Sequence, residues 1–180
     1  MNTLNSKLVH DKRFRQWQSR VHSKTKKLAD MVVADWVPLV ESAGFKRVAV
    51  SYGRTDLPVE GSCIQLERTG DHFIDIVYLF FDKYGSPRFQ VGASRRLGAN
   101  PDQIVRSAHF VKNASEFYHE WGKPRWWPIS LWTRKCNETT VKNVVASTAQ
   151  LFRFLETGER GPMISRASNA RMPTRLVSGE

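Results

Sequence analysis

The chain has 180 residues, 41% of them hydrophobic, and a formal net charge of +11, which fits one domain built around a single core. Its longest apolar run, Ile76 to Phe81, is flanked by Asp75 and Asp82 and falls far short of the roughly 18 residues that a membrane-crossing helix needs, so no span is expected. No apolar stretch follows Lys7, Lys12, Arg13 and Arg15 as a secretory signal would require, so the expected compartment is the cytoplasm.

The charge is concentrated at the two ends. Residues 1–27 hold eight Lys or Arg against Asp11 alone, and the stretch from Thr157 adds four Arg against two Glu. Such ends suit polyanions, although solvated charge explains most basic runs. From Asp11 to Val21, Phe14, Trp17 and Val21 recur at helical spacing among basic residues, which predicts a short amphipathic helix within a basic N-terminal arm, 1–27. A second helix is predicted from about Ser23 to Ser42, with Leu28, Val32, Trp36 and Val40 on one stripe. Pro38 should kink it or start a new first turn, and Gly44 should end it with a left-handed cap.

After Phe45 the period changes to two. Strands are predicted at Arg47 to Ser51, Ser62 to Arg68, His72 to Phe81 and Arg88 to Arg95, the last three joined by turns short enough for antiparallel hairpins. The third is apolar on both faces and belongs near the centre of the sheet. Asn100-Pro101-Asp102 reads as a helix start, predicting a short helix to about Phe110, with another turn or two between Ser115 and Trp121. The segment Arg125 to Trp132 reads as an edge strand or extended loop, because Pro128 cannot donate to a central ladder. A last helix is predicted after Asn137, carrying Val141, Val144, Thr148 and Leu155 on its stripe, with Gly158 ending it and a disordered tail over 159–180. The expected fold is therefore α+β: an antiparallel sheet of four or five strands with helices on one face, in a domain spanning 28–158.

This order resembles a bacterial family known only as a domain of unknown function. The resemblance rests on Gly44-Phe45 after the opening helix, Arg88-Phe89-Gln90-Val91-Gly92 in the meander, Trp126-Trp127, and Phe154-Leu155-Glu156 near the end of the closing helix. It implies the same fold, and it implies no catalytic residues, since that family has no assigned reaction.

The search for chemistry yields no catalytic signature: no HExxH, paired CxxC, GxSxG, P-loop or GxGxxG motif is present. Neither a metal nor a cofactor is expected. His109, Glu116, His119 and Glu120 read as polar side chains facing solvent, and Cys63 and Cys136 as ordinary reduced thiols. Candidate anion or nucleic-acid contacts are Lys12, Arg13, Arg15, Arg20 and Lys24 in the arm, with Arg95 and Arg96 at the end of the fourth strand. Candidate partner contacts are Trp17, Arg125, Trp126, Trp127 and Trp132, which combine flat aromatic surface with guanidinium groups. The function expected is a non-catalytic binding module for a protein partner. Sequence-independent binding of nucleic acid or another polyanion through the arm is the second reading, and an enzyme with an unrecognised site the third.

Overall fold

The structure is a computed structural model that describes residues 14–48, 62–82, 84–112 and 120–166. Three helical stretches open it: α1 over 14–20, α2 over Ser23–Met31 and α3 over Val37–Ser42. Between α2 and α3, Val32–Trp36 forms one π-helical turn, in which the Val37 amide reaches back to the Val32 carbonyl. Pro38 is the cause that the sequence offers, since it has no amide proton to give and its ring crowds the preceding turn, which the wider turn relieves. Gly44, at φ 89°, closes α3 in the left-handed conformation that its missing Cβ permits.

A seven-stranded antiparallel sheet follows. Strands β1 (Lys46–Val48), β2 (Cys63–Thr69), β3 (Phe73–Phe81), β4 (Arg88–Leu97) and β5 (Ile104–Phe110) form a meander. β6 (Trp121–Gly122) pairs with the start of β4, and β7 (Ile164–Arg166) pairs with β5 at the far edge. The architecture is α+β, with more strands than the four or five that the sequence pattern predicts. β5 is the largest departure, because a helix was expected there. Asn100-Pro101-Asp102 makes a turn instead: the Gln103 amide bonds the Asn100 carbonyl at 2.9 Å, and the Leu97 amide bonds the Gln103 carbonyl at 3.1 Å. Proline and short polar residues serve turns as readily as helix starts, and the β-branched Ile104-Val105 that follow suit the open edge of β4. Of the turn or two predicted between Ser115 and Trp121, residues 115–119 lie outside the described residues, and Trp121 lies in β6.

The long helix α4, Arg134–Thr157, lies on one face of this sheet. It starts four residues before the predicted point because Thr133 caps it, its side chain accepting from the Cys136 amide. Gly158, at φ 82°, ends it as expected. Val141, Val144, Thr148, Leu151 and Leu155 recur at spacings of three and four and are all buried. They meet Leu28, Val32 and Trp36 of the opening helices and Leu66, Val77, Leu79 and Val91 of the sheet in one core.

The two ends are corrected by this packing. Phe14 and Trp17 are 8% exposed and pack at a tilt beside Phe81, with ring centroids 5.8 and 5.0 Å away, so α1 belongs to the core and Trp17 is no surface anchor. At the other end, Ile164 of β7 is buried, so part of the predicted tail is ordered strand; residues 167–180 lie outside the described residues. Ending the chain at Arg160 should therefore lower stability by about 1.5–3 kcal/mol, the worth of one buried isoleucine side chain. A urea titration that cannot distinguish the truncated and full-length chains would contradict the packing of β7.

Candidate functional site

The residues around the N-terminal end of α4 converge on an aromatic ledge beside a cleft. Gly122 begins it. Its φ of 106°, and the Pro87 carbonyl 2.5 Å from where a Cβ would stand, require glycine, and the chain then turns from β6 into Lys123. Lys123 is buried, and its ammonium donates to the carbonyls of Pro124 and Trp127, tying down the loop between them. Burial, and then the charge of Arg88, lower its pKa. Lys24 holds the second half of the loop, its Nζ donating to the carbonyls of Ile129 at 2.9 Å and Ser130 at 2.8 Å. Asn137 joins the two: its amide donates to the Lys24 carbonyl, while its Oδ1 accepts from the Trp132 indole.

This scaffold leaves Trp126 82% exposed, the largest exposure of any large hydrophobic side chain among the described residues. Its ring stacks on Trp127 at 5.9 Å and 7°, and Trp127 meets Trp132 edge-on at 6.4 Å and 88°. A cleft of about 350 Å³ continues from there, lined by Trp121, Trp127, Trp132, Lys112, Lys135 and Cys136 among others, with no acidic side chain among the described residues of its wall. Cys136 sits in the first turn of α4. Its thiol contacts the Thr133 hydroxyl at 3.2 Å, and that hydrogen bond is the main cause that lowers its pKa. The cleft therefore offers flat aromatic surface, two ammonium groups and the positive end of a helix.

The candidate residues sort accordingly. Trp126, Trp127 and Trp132 come together at the ledge, Trp132 as its buried support. Arg125 stands next to them with its guanidinium paired to Glu120, at 2.9 and 3.2 Å. Lys24 is a structural tether rather than an anion contact. Arg15 and Arg20 are exposed on α1, and Lys12 and Arg13 lie outside the described residues. Arg95 and Arg96 do not form one anion site, because neighbours on a strand face opposite ways. Arg95 bonds Asp75 through Nε at 2.6 Å and through its terminal amine at 2.8 Å, and Arg96 is buried on the other face with a bond to the Pro101 carbonyl. Of the polar cluster, Glu116 and His119 lie outside the described residues. The sequence reading missed Lys112, Lys135 and Cys136 as companions of the tryptophans. The one local signal was Thr133, three residues before Cys136, which marks the helix start and hence what lies at its mouth.

Among the described residues no helix is long and apolar enough to cross a membrane. Comparison of the chain with protein-family models, with curated proteins and with solved structures gave no match.

Proposed function

We propose that this protein is a non-catalytic binding module whose tryptophan ledge and adjoining cleft receive an extended segment of a partner protein. The observation that carries this reading is the stacked Trp126-Trp127 pair, held out by two lysine tethers and continuous with a cleft whose charged lining groups among the described residues are Lys112 and Lys135. Rigid aromatic surface suits proline or aromatic side chains at little cost in conformational entropy, and the cations select a peptide that also carries acidic residues. Exposed Arg15 and Arg20 on α1, with Lys26 and Lys27 on α2, favour a second reading, contact with a nucleic-acid backbone, for which binding should weaken steeply with salt.

Random-peptide display against the full chain tests the first reading. Selected peptides should be rich in acidic, proline and aromatic residues, and Trp126→Ala should weaken them by about 2 kcal/mol, roughly 30-fold, as the loss of an interface anchor does. Because Trp126 is exposed, its replacement leaves the core untouched. A bulky maleimide on Cys136 should also block the selected peptides, since the thiol faces the cleft. No enrichment, or equal binding by the Trp126→Ala variant, would overturn this reading.

A further inference from the structure

The tryptophan cleft is walled by a row of hydrogen-bond donors as well as by aromatic rings. Helix α4 contributes Lys135, Thr139 and Asn143 to its lining at four-residue spacing, so an ammonium, a hydroxyl and an amide follow one another at steps of about 6 Å. Lys112, from the chain just past β5, lines the same cleft. All four residues are exposed, and among the described residues none of their side chains takes part in a hydrogen bond or ion pair. Their neighbours are committed instead. Thr140 donates to the Cys136 carbonyl, Thr133 caps α4, and Asn137 bridges Lys24 and Trp132.

The chemistry of the occupant follows from where these groups stand. Trp121 and Trp132, 1% and 5% exposed, form an apolar floor, while the uncommitted donors stand exposed at the rim. An apolar side chain therefore suits the floor, and the anion that matches the rim belongs to a short neighbouring residue. Two ammonium groups and the positive end of α4 carry more charge than one carboxylate offsets. A phosphoryl group brings about −1.5 to −2 charges and three strong acceptor oxygens, enough to meet both lysines and Thr139 together. Phosphotyrosine would carry that group beyond its ring, onto the tryptophan floor and away from the rim cations. Nucleic acid brings a phosphate with every nucleotide and needs a row of cations, whereas the described lining of this cleft holds Lys112 and Lys135.

We infer that the partner segment carries a phosphorylated serine or threonine, its phosphoryl group on Lys112, Lys135 and Thr139 beside an apolar side chain seated over Trp121 and Trp132. The inference rests on the reading that ledge and cleft receive an extended protein segment. It adds regulation to that reading, because binding then follows the phosphorylation and dephosphorylation of the partner.

Three random-peptide libraries, fixed at the central position as phosphoserine, glutamate or serine, test the inference on the full chain. At about pH 7 the phosphoserine library should be retained about tenfold more than either of the others. The second phosphate proton has a pKa of about 6, so the advantage over glutamate should fall to about threefold or less at about pH 5. Titration of the cleft's own groups, Lys112, Lys135 and Cys136, acts on both libraries and cancels in that ratio. Lys112→Gln and Lys135→Gln, both at exposed positions, should each reduce the advantage at about pH 7 to about threefold. Equal retention of all three libraries, an advantage undiminished at about pH 5, or one that neither lysine variant reduces would overturn the phosphoryl group and leave the peptide reading standing. Retention of no library would overturn both. Binding of an oligothymidylate of about 12 nucleotides that both lysine variants weaken, with no retention of the phosphoserine library, would assign the cleft to nucleic acid instead.

Discussion

Asp75→Asn should destabilise the fold by about 3–5 kcal/mol, the loss expected when one partner is removed from a buried ion pair and leaves the other charged. Asp75 is 3% exposed and sits between two guanidinium groups, Arg95 at 2.6 Å and Arg68 at 2.9 Å. The asparagine keeps the shape and removes the charge, so both arginines remain partly buried without it. Arg68 also contacts Glu156 at 3.3 Å, but that carboxylate is 54% exposed and its attraction is screened by water. Burial by itself would raise the Asp75 pKa; the hydrogen bonds and charges of Arg95 and Arg68 together outweigh it and hold it below 3.8. A carboxyl depressed in the folded state contributes stability that is fully present above its unfolded pKa and is lost as pH falls through the folded one. The gap between parent and variant should therefore be flat above about pH 5 and close progressively below about pH 4. Urea titrations across that range measure it, and a gap that persists unchanged at about pH 2 would contradict the pairing. The network stands at the C-terminal end of α4, where Arg106 also donates to the Leu155 and Glu156 carbonyls. The tryptophan cleft is at the other end of this 24-residue helix, so folded variant should still bind the selected peptides.

What could be read from the sequence divides along the range of the forces involved. α4 and β3 were legible because each writes its own pattern, Val141 to Leu155 at helical spacing and Ile74 to Phe81 apolar on both faces. β5 was not, since Asn100-Pro101-Asp102 satisfies a turn and a helix start equally, and the choice was made by β4, which offers a strand edge that no local window contains. Among the tryptophans, Trp17 stands between Arg15 and Arg20 and reads as a surface residue, yet Phe81 draws it into the core. Trp126 reads no differently from its neighbours, and its exposure depends on lysines more than 100 residues away in one case and three in the other. Arg95 and Arg96 could have been separated from sequence alone, because alternation along a strand already assigns them to opposite faces.

Trp36→Ala should cost about 3–5 kcal/mol, a large share of the roughly 5–15 kcal/mol that holds a domain together. Trp36 is fully buried at the end of the π-helical turn, in the core formed with α4 and the sheet. Its indole donates to the Thr148 hydroxyl at 2.9 Å, and that hydroxyl in turn donates to the Val144 carbonyl at 2.7 Å. Apolar volume and a buried polar link are therefore lost together, and a double-mutant cycle separates them. Thr148→Val keeps the volume but orphans the indole N–H, at a cost of about 1–3 kcal/mol. Trp36→Phe removes the donor and some volume while Thr148 keeps its bond to Val144. In the double variant no indole N–H is left unpaired, so its loss should fall short of the sum of the single losses by about 1 kcal/mol. Additive losses would mean that the indole and the hydroxyl do not share a hydrogen bond. Subadditive losses would show that the opening helices are fixed to α4 by a directional contact as well as by packing, which orients the tethering Lys24 beneath the tryptophan ledge.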